Sequence, residues 1–524
     1  MKLLVINHAS VWNPSLDDAQ PAQPRAVWIQ NGRIVDVSSV EAAPQPGARD
    51  DVRVISFPRG FVMPAFVDAH FHLLSLAHKS LRCDLSTTES AAEVGERLSE
   101  YTRNHGGGDA LVGVDFDESE WRDRSLPTRA QLDSVASDRP LYARRVCCHV
   151  GVANTALLDR LESPARFIDR ESGRIVEDAV FEANRLTRPP AAAQVEAIDG
   201  ALARLHSLGI TAIHDIVDPG TLEVYVEGLR ASRRPLRIDV FFHVPAREFR
   251  SASAQLAPLR ERGVRALGIK IFSDGSLGGR TAALHERYAD GDGDGELLVN
   301  PAMLQTELET CARENIACAV HAIGDRALRT VLDAMAAAAS SAHAGSARFR
   351  IEHAEIIGAE ELRRCQELRI PLVMQPNFVR NWGGEDGMYE RRLGPARWKQ
   401  QNPFASLTRA GVPFVFSSDG MPAGPLYGLR GAILHANARE RIGPADAFYR
   451  YASAASDVFA EWEEDAVQPP RVAAGARADL VVLSAHPLLT DVDRVRVEAT
   501  IADGVEVYRA PAPQRPTTHS KRRR

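Results

Sequence analysis

Lysine is scarce in this chain of 524 residues. It stands only at Lys2, Lys79, Lys270, Lys399 and Lys521, so 58 of the 63 basic residues are arginine. Where a plain positive charge suffices the chain uses arginine, and a lysine within an apolar segment calls for a reason beyond charge. Cysteine is scarce too. Cys83, Cys147, Cys148, Cys311, Cys318 and Cys365 include no CxxC spacing, which excludes a disulfide-stapled scaffold and a four-cysteine metal knuckle. Free thiols in a reducing compartment are the expectation. Neither charge is in large excess: 63 basic against 69 acidic residues leave a net charge of −6 and a pI near 6.3. That balance excludes the basic face with which a nucleic-acid binder neutralises phosphates. No apolar run approaches the ~20 residues of a membrane span. The opening residues also lack the apolar core and cleavage site of a secretory signal, so a cytoplasmic location is expected.

What is present is ordinary globular material, 44% hydrophobic and 25% charged. At roughly 150 residues per domain, the length gives about three domains or one large barrel with additions. Residues 1–61 read as short strands, with Asn31-Gly32 as a hairpin turn, and 466–510 have the same character, with Asp503-Gly504 at a turn. Together they suggest a small β-sandwich built from both ends of the chain. A polar tail over 511–524, ending in Lys521-Arg522-Arg523-Arg524, reads as disordered.

Between these ends, short apolar runs alternate with helical patterns, as βα units do. The candidate strands are 62–69, 210–215, 237–244, 266–273, 317–323, 348–353, 371–376 and 413–418. Each is apolar almost throughout, as a strand covered on both faces must be. Eight such units over 62–465 fit an α/β fold of the (β/α)8 TIM-barrel type; a doubly wound open sheet satisfies the same pattern. The first gap is too long for one unit, so an inserted subdomain is expected over about 75–200.

The polar residues near the ends of these runs carry the chemistry. His70 and His72 are two apart, a spacing that puts both imidazoles on one side of a strand. Lys270 sits within Gly268-Ile269-Lys270-Ile271-Phe272. Later runs end at His321, at Glu352-His353 and at Ser418-Asp419-Gly420. Singly, each reads better as a core histidine, a snorkelling lysine or a capping aspartate than as a ligand. A barrel, however, directs all its strand C-termini at one mouth, where these groups would meet.

The segment from Phe66 to His72 resembles the first-strand signature of the metal-dependent amidohydrolase superfamily. The stretch from Gly268 to Ser276 with Arg280-Thr281-Ala282 resembles its amidohydrolase 3 branch, which holds N-substituted formamide deformylases. So do His321-Ala322-Ile323-Gly324-Asp325-Arg326-Ala327, Arg350 to Ala354 and Ser418-Asp419-Gly420, with Asp117-Glu118-Ser119 and the residues from His149 to Asn154 in the insertion. Ala65 and Phe116 depart from the glycine and tryptophan usual at those places. The resemblance implies that His70, His72 and Asp419 hold one divalent metal and His321 and His353 a second. Zinc is the default, and a carboxylated Lys270 would bridge the two ions. It further implies hydrolysis of a non-peptide carbon–nitrogen bond, an N-acyl, N-formyl or cyclic amide, with Asp419 as proton shuttle. His149 is a candidate for a catalytic contact with substrate, and Trp382 and Tyr389 for lining its pocket. A lactonase or deaminase on the same site, or a non-catalytic scaffold, are the alternatives. The expected partner is a small-molecule substrate, without nucleic acid or membrane, for a chain that acts alone or as a homodimer.

Overall fold

The computed structural model describes residues 3–14, 23–45, 47–105, 109–341, 347–462 and 470–511. Eight parallel strands lie side by side in chain order: β1 (Phe66–Phe71), β2 (Ile210–Val217), β3 (Arg237–Phe242), β4 (Val264–Phe272), β5 (Ala317–Ala322), β6 (Phe349–His353), β7 (Leu372–Met374) and β8 (Phe414–Phe416). No ladder joins β8 to β1, but the chain beyond β8 closes the ring. The Ser418 amide donates to Asp68 Oδ1 at 2.9 Å, and the Asp419 amide donates to the His70 carbonyl at 3.1 Å.

Val67, Ala69, Ala212, Phe241, Ala317, Ala319, Val373 and Val415 belong to the core inside the ring, while the larger core outside it joins strands to helices. Both faces are covered, which is why each strand is apolar almost throughout. Small residues let the strands crowd. A Cβ at Gly268 would lie 1.8 Å from the carbonyl oxygen of Ala317, its partner across the β4–β5 ladder. The helix Pro301–Glu314 begins where Asn300 accepts the amides of Ala302 and Met303 ahead of Pro301, and it stops at left-handed Asn315.

The strand expected over 62–69 is two strands. Phe61–Pro64 pairs with Leu3–Val11 and with Leu480–Leu483, and only Phe66–Phe71 enters the barrel. Pro64 has no N–H to continue a ladder, and the Ala65 amide turns to the Asp479 carbonyl at 3.0 Å. The continuous apolar run concealed this change of sheet. The terminal sheet therefore reaches past the boundary expected at 61. It combines five strands from one end of the chain with Leu480–Leu483, Val497–Ala502 and Val505–Arg509 from the other. Asn31-Gly32 and Asp503-Gly504 make its tight turns with left-handed φ, as their residue types demand.

Between β1 and β2 stands a five-stranded sheet of Cys83–Asp84, Leu111–Phe116, Leu141–Arg145, Val150–Ala153 and Arg174–Val176. The boundary expected at 465 and the tail from 512 onward lie outside the described residues. Among the described residues every cysteine is a free thiol, and no helix is long and apolar enough to cross a membrane.

Candidate metal centre

The topology brings the candidate ligands to one mouth. His70 lies near the end of β1, with His72 just past it, while His321 is the last residue but one of β5 and His353 closes β6. Ladder register sets Phe272 opposite His321 and Ala322 opposite His353, so neighbouring strands deliver their histidines at one level. Ring centroids are 5.3 Å apart for His70 and His72, 4.9 Å for His70 and His353, and 4.6 Å for His321 and His353. Asp419 Oδ1 lies 3.1 Å from His72 Nε2 and 3.5 Å from His70 Nε2. One donor atom each from His70, His353 and Asp419 lie within 4.8 Å of one another. His353 and Asp419 adopt left-handed backbone, φ 70° and 55°. Such conformations cost about 1–3 kcal/mol each and persist where surrounding structure enforces them.

Each imidazole of the buried set has one nitrogen engaged by protein. His70 Nδ1 lies 2.5 Å from Glu352, and Glu352 also accepts from Arg350 Nε at 2.6 Å. Arg350, wholly buried, reaches His214 Nδ1 at 2.7 Å and lies over the Phe241 ring. His353 Nδ1 meets Gln375 Oε1 at 2.9 Å. His321 Nε2 donates to the Gly275 carbonyl at 3.0 Å, leaving its Nδ1 enclosed without a partner. Lys270 Nζ is likewise buried and unpartnered. One nitrogen fixed and one free is how metal-binding imidazoles are oriented, and enclosed orphan donor atoms fit an ion that satisfies them.

The electrostatics agree with that fit. Burial, helped by Lys270 and other positive neighbours, holds His70, His321 and His353 well below the usual imidazole range, which favours their neutral form. Burial also lowers Lys270 to about 8. Desolvation pushes the Asp419 carboxyl up, yet His70 and His72 beside it hold it below the ordinary value. An anion and neutral imidazoles are what a divalent cation binds.

His149 joins from the insertion, on the turn between Leu141–Arg145 and Val150–Ala153. Its ring is 5.5 Å from that of His321, and Nδ1 is 2.8 Å from Glu177 Oε2. Burial pulls the imidazole down, but Glu177 outweighs it and lifts His149 to about 9. A cavity of about 660 Å³ is lined by His70, His72, His149, His321, His353 and Asp419. Trp382 and Tyr389 do not line that space; with His149, His353 and Asp419 they bound an adjoining recess of about 30 Å³. Trp382 Nε1 donates to Asp117 Oδ2 at 2.8 Å, and the Tyr389 hydroxyl donates to Glu355. Sequence reasoning gave no role to Glu352, Gln375, Arg350 or Glu177. Glu352 and Arg350 lie inside the segment from Arg350 to Ala354, but nothing in the spacing marks Gln375 or Glu177.

Comparison with known proteins agrees with this architecture. The sequence profile of the amidohydrolase family matches residues 60–508. YtcJ of Bacillus subtilis is 27% identical over 518 residues, spanning 92% of this chain and 96% of its own. N-substituted formamide deformylase of Arthrobacter pascens is 26% identical over 551 residues, spanning 97% and 98%. A solved metal-dependent hydrolase from Pyrococcus furiosus superposes with TM-score 0.69 and 27% identity, covering 93% of this chain and all of that one. A match over most of its length, on a barrel whose mouth collects neutral imidazoles and a carboxylate, means that this chain belongs to the amidohydrolase family of metal-dependent hydrolases.

Proposed function

We propose that the protein hydrolyses the carbon–nitrogen bond of a small non-peptide amide, an N-formyl, N-acyl or cyclic amide, as a cytoplasmic enzyme. The observation that carries this reading is the meeting of four histidines and Asp419 at one cavity, with the orphaned Lys270 Nζ buried in their electrostatic field. In this reading His70, His72 and Asp419 would hold one divalent ion and His321 and His353 a second, with zinc the expected metal for such donors. Lys270 acts as the bridge once carboxylated. Its amine, neutral more readily than an exposed lysine's, attacks CO2, the new N–C bond forms as one C=O π pair moves onto oxygen, one proton leaves, and a carbamate results whose single negative charge is shared by two oxygens. When bound, such ions polarise a carbonyl and bring the pKa of water towards neutrality. Asp419, already ionised, takes the proton from the attacking water and hands it to the departing nitrogen, which then leaves as an amine rather than an anion. His149, held as a cation by Glu177, faces the carbonyl oxygen as it gains charge and donates a hydrogen bond to it. Trp382 and Tyr389 form the wall behind. The similarity to N-substituted formamide deformylase supports formamides and their N-acyl relatives as first candidates.

The test is a turnover screen of metal-loaded protein on N-formyl amines, N-acyl amines and cyclic amides, with lactones and aminopurines as controls. Amide hydrolysis that chelation abolishes and zinc restores is expected. Turnover confined to lactones or to ring deamination contradicts the proposal.

A further inference from the structure

The wall of the large cavity is uneven in charge. Beyond His72 runs the helix Leu73–Lys79, and this helix, the turn after it and the insertion strand Leu141–Arg145 bring Lys79, Arg82 and Arg144 to the cavity. Lys79 is engaged: Nζ lies 2.7 Å from Asp115 Oδ2 and donates to the Gly420 carbonyl at 3.3 Å. Arg82 and Arg144 are different. They are only 7% and 4% exposed, and neither guanidinium has a hydrogen bond or ion pair among the described residues. Arg82 Nε, Arg144 Nε and Arg144 Nη2 are enclosed donors with nothing to accept from them. Burial and Arg144 together pull the Arg82 guanidinium below its ordinary value, whereas at Arg144 burial is outweighed by Cys148, Tyr142 and Asp115, which hold it above. Tyr142, two residues before Arg144 and hence on the same face of its strand, adds a buried hydroxyl, also unpartnered, in the field of both arginines. Asp115 lies in the field of both arginines but forms its ion pair with Lys79, and no carboxylate makes a hydrogen bond or ion pair to either guanidinium among the described residues. Glu182 accepts from Ser163, and Asp218 pairs with Arg188.

Two buried cations beside each other without a directly bonded anion destabilise a fold, and such a feature persists where function requires it. We propose that Arg82 and Arg144 receive an anionic group of the substrate, so that the amides hydrolysed carry a carboxylate or other oxyanion away from the scissile bond. The proposal rests on the amide-hydrolase reading and specifies its substrate class. Guanidinium forks match the oxygen pair of an oxyanion, and the enclosed setting strengthens the bonds. A neutral analogue leaves both cations unpaired and is rejected for that reason.

The experiment uses metal-loaded, full-length protein and three matched series of equal length: N-formyl alkylamines, N-formyl amino acids, and N-formyl aminoalkyl phosphates. The charged members are expected to exceed the neutral ones in kcat/KM by at least ~10-fold, and the two charged series separate carboxylate from phosphate. In Arg82→Gln and Arg144→Gln that ratio falls towards one through a rise in KM for the charged substrate. Succinate and inorganic phosphate raise the Tm of the wild type and not of the double variant. Without anion, the variants melt no lower than wild type, because one of two repelling cations is gone; a merely structural role for these arginines gives the reverse. Equal use of neutral and charged amides, with an anion response unchanged in the variants, overturns the proposal. An anion response lost in the variants, in a protein that hydrolyses no amide, upholds the anion site and refutes the amide reading instead.

Discussion

Lys270 shows how much one residue type can reveal when the chain otherwise avoids it. Its scarcity marked it in the sequence, and in the fold its amine is buried, unpartnered and beside the histidines. Lys270→Arg keeps the charge but cannot form a carbamate, so it is expected to abolish turnover and leave at most one metal per chain. Lys270→Ala regains part of its activity in acetate or propionate, which supply the missing carboxylate. An arginine variant that retains two metals and measurable turnover contradicts the bridge. Asp419→Asn tests the proton shuttle: turnover per bound metal falls by at least ~10²-fold, and an unchanged value assigns the base elsewhere. The histidines were legible because strand-end placement is written in the local pattern. Gln375 and Glu177 were not, because each is defined by what it touches across the fold, His353 for one and His149 for the other. Glu352→Gln is expected to weaken metal binding by about 10–100-fold, measured by competition with a chromogenic chelator, since it loosens the orientation of His70.

Among the elements, the strands were legible as apolar runs and their junctions were not. The step from Phe61–Pro64 to β1 involves no loss of hydrophobicity, only a proline and one amide that turns aside, so a single strand was expected where two exist. The β4–β5 pair depends on a residue that pattern reading takes as neutral. Gly268→Ala drives a methyl into the Ala317 carbonyl, and the strands must part, at a cost of about 1–3 kcal/mol or more. Gly200 is the contrast: it sits exposed within the helix Ala191–Ser207 with nothing near its missing Cβ. Gly200→Ala is expected to stabilise by about 1 kcal/mol, the helix-propensity difference. Urea unfolding of both variants checks the pair, and a tolerated Gly268→Ala contradicts the close approach.

At the scale of the whole molecule, two buried histidines stay neutral in the native state down to about pH 4. Burial lowers His206 and His435 to about 4, with His206 bonded to the Pro235 carbonyl and His435 to that of Asn402. Their unfolded value is near 6.5. The unfolded chain therefore binds more protons between the two values, so stability is complete above about pH 6.5 and is lost as the pH falls towards 4. Each contributes on the order of 2 kcal/mol of loss by pH 5. His206→Gln and His435→Gln should flatten the dependence of urea midpoint on pH, and an unaltered slope assigns acid lability to other groups. Barrel, terminal sheet and insertion were legible from the spacing of apolar runs, whereas the face that the insertion presents to the site was not. His149 and Arg144 reach it through the turn and register of a sheet that local pattern does not fix. Metal binding is the property that needs the whole assembly, since its candidate donors come from β1, β4, β5, β6 and the segment after β8. The most direct measurement is therefore the metal content of purified wild type beside His70→Ala/His72→Ala, with circular dichroism to show that both are folded. One to two equivalents of transition metal in the wild type, and loss of most of it in a folded double variant, is the result expected. Full occupancy in that variant contradicts the site.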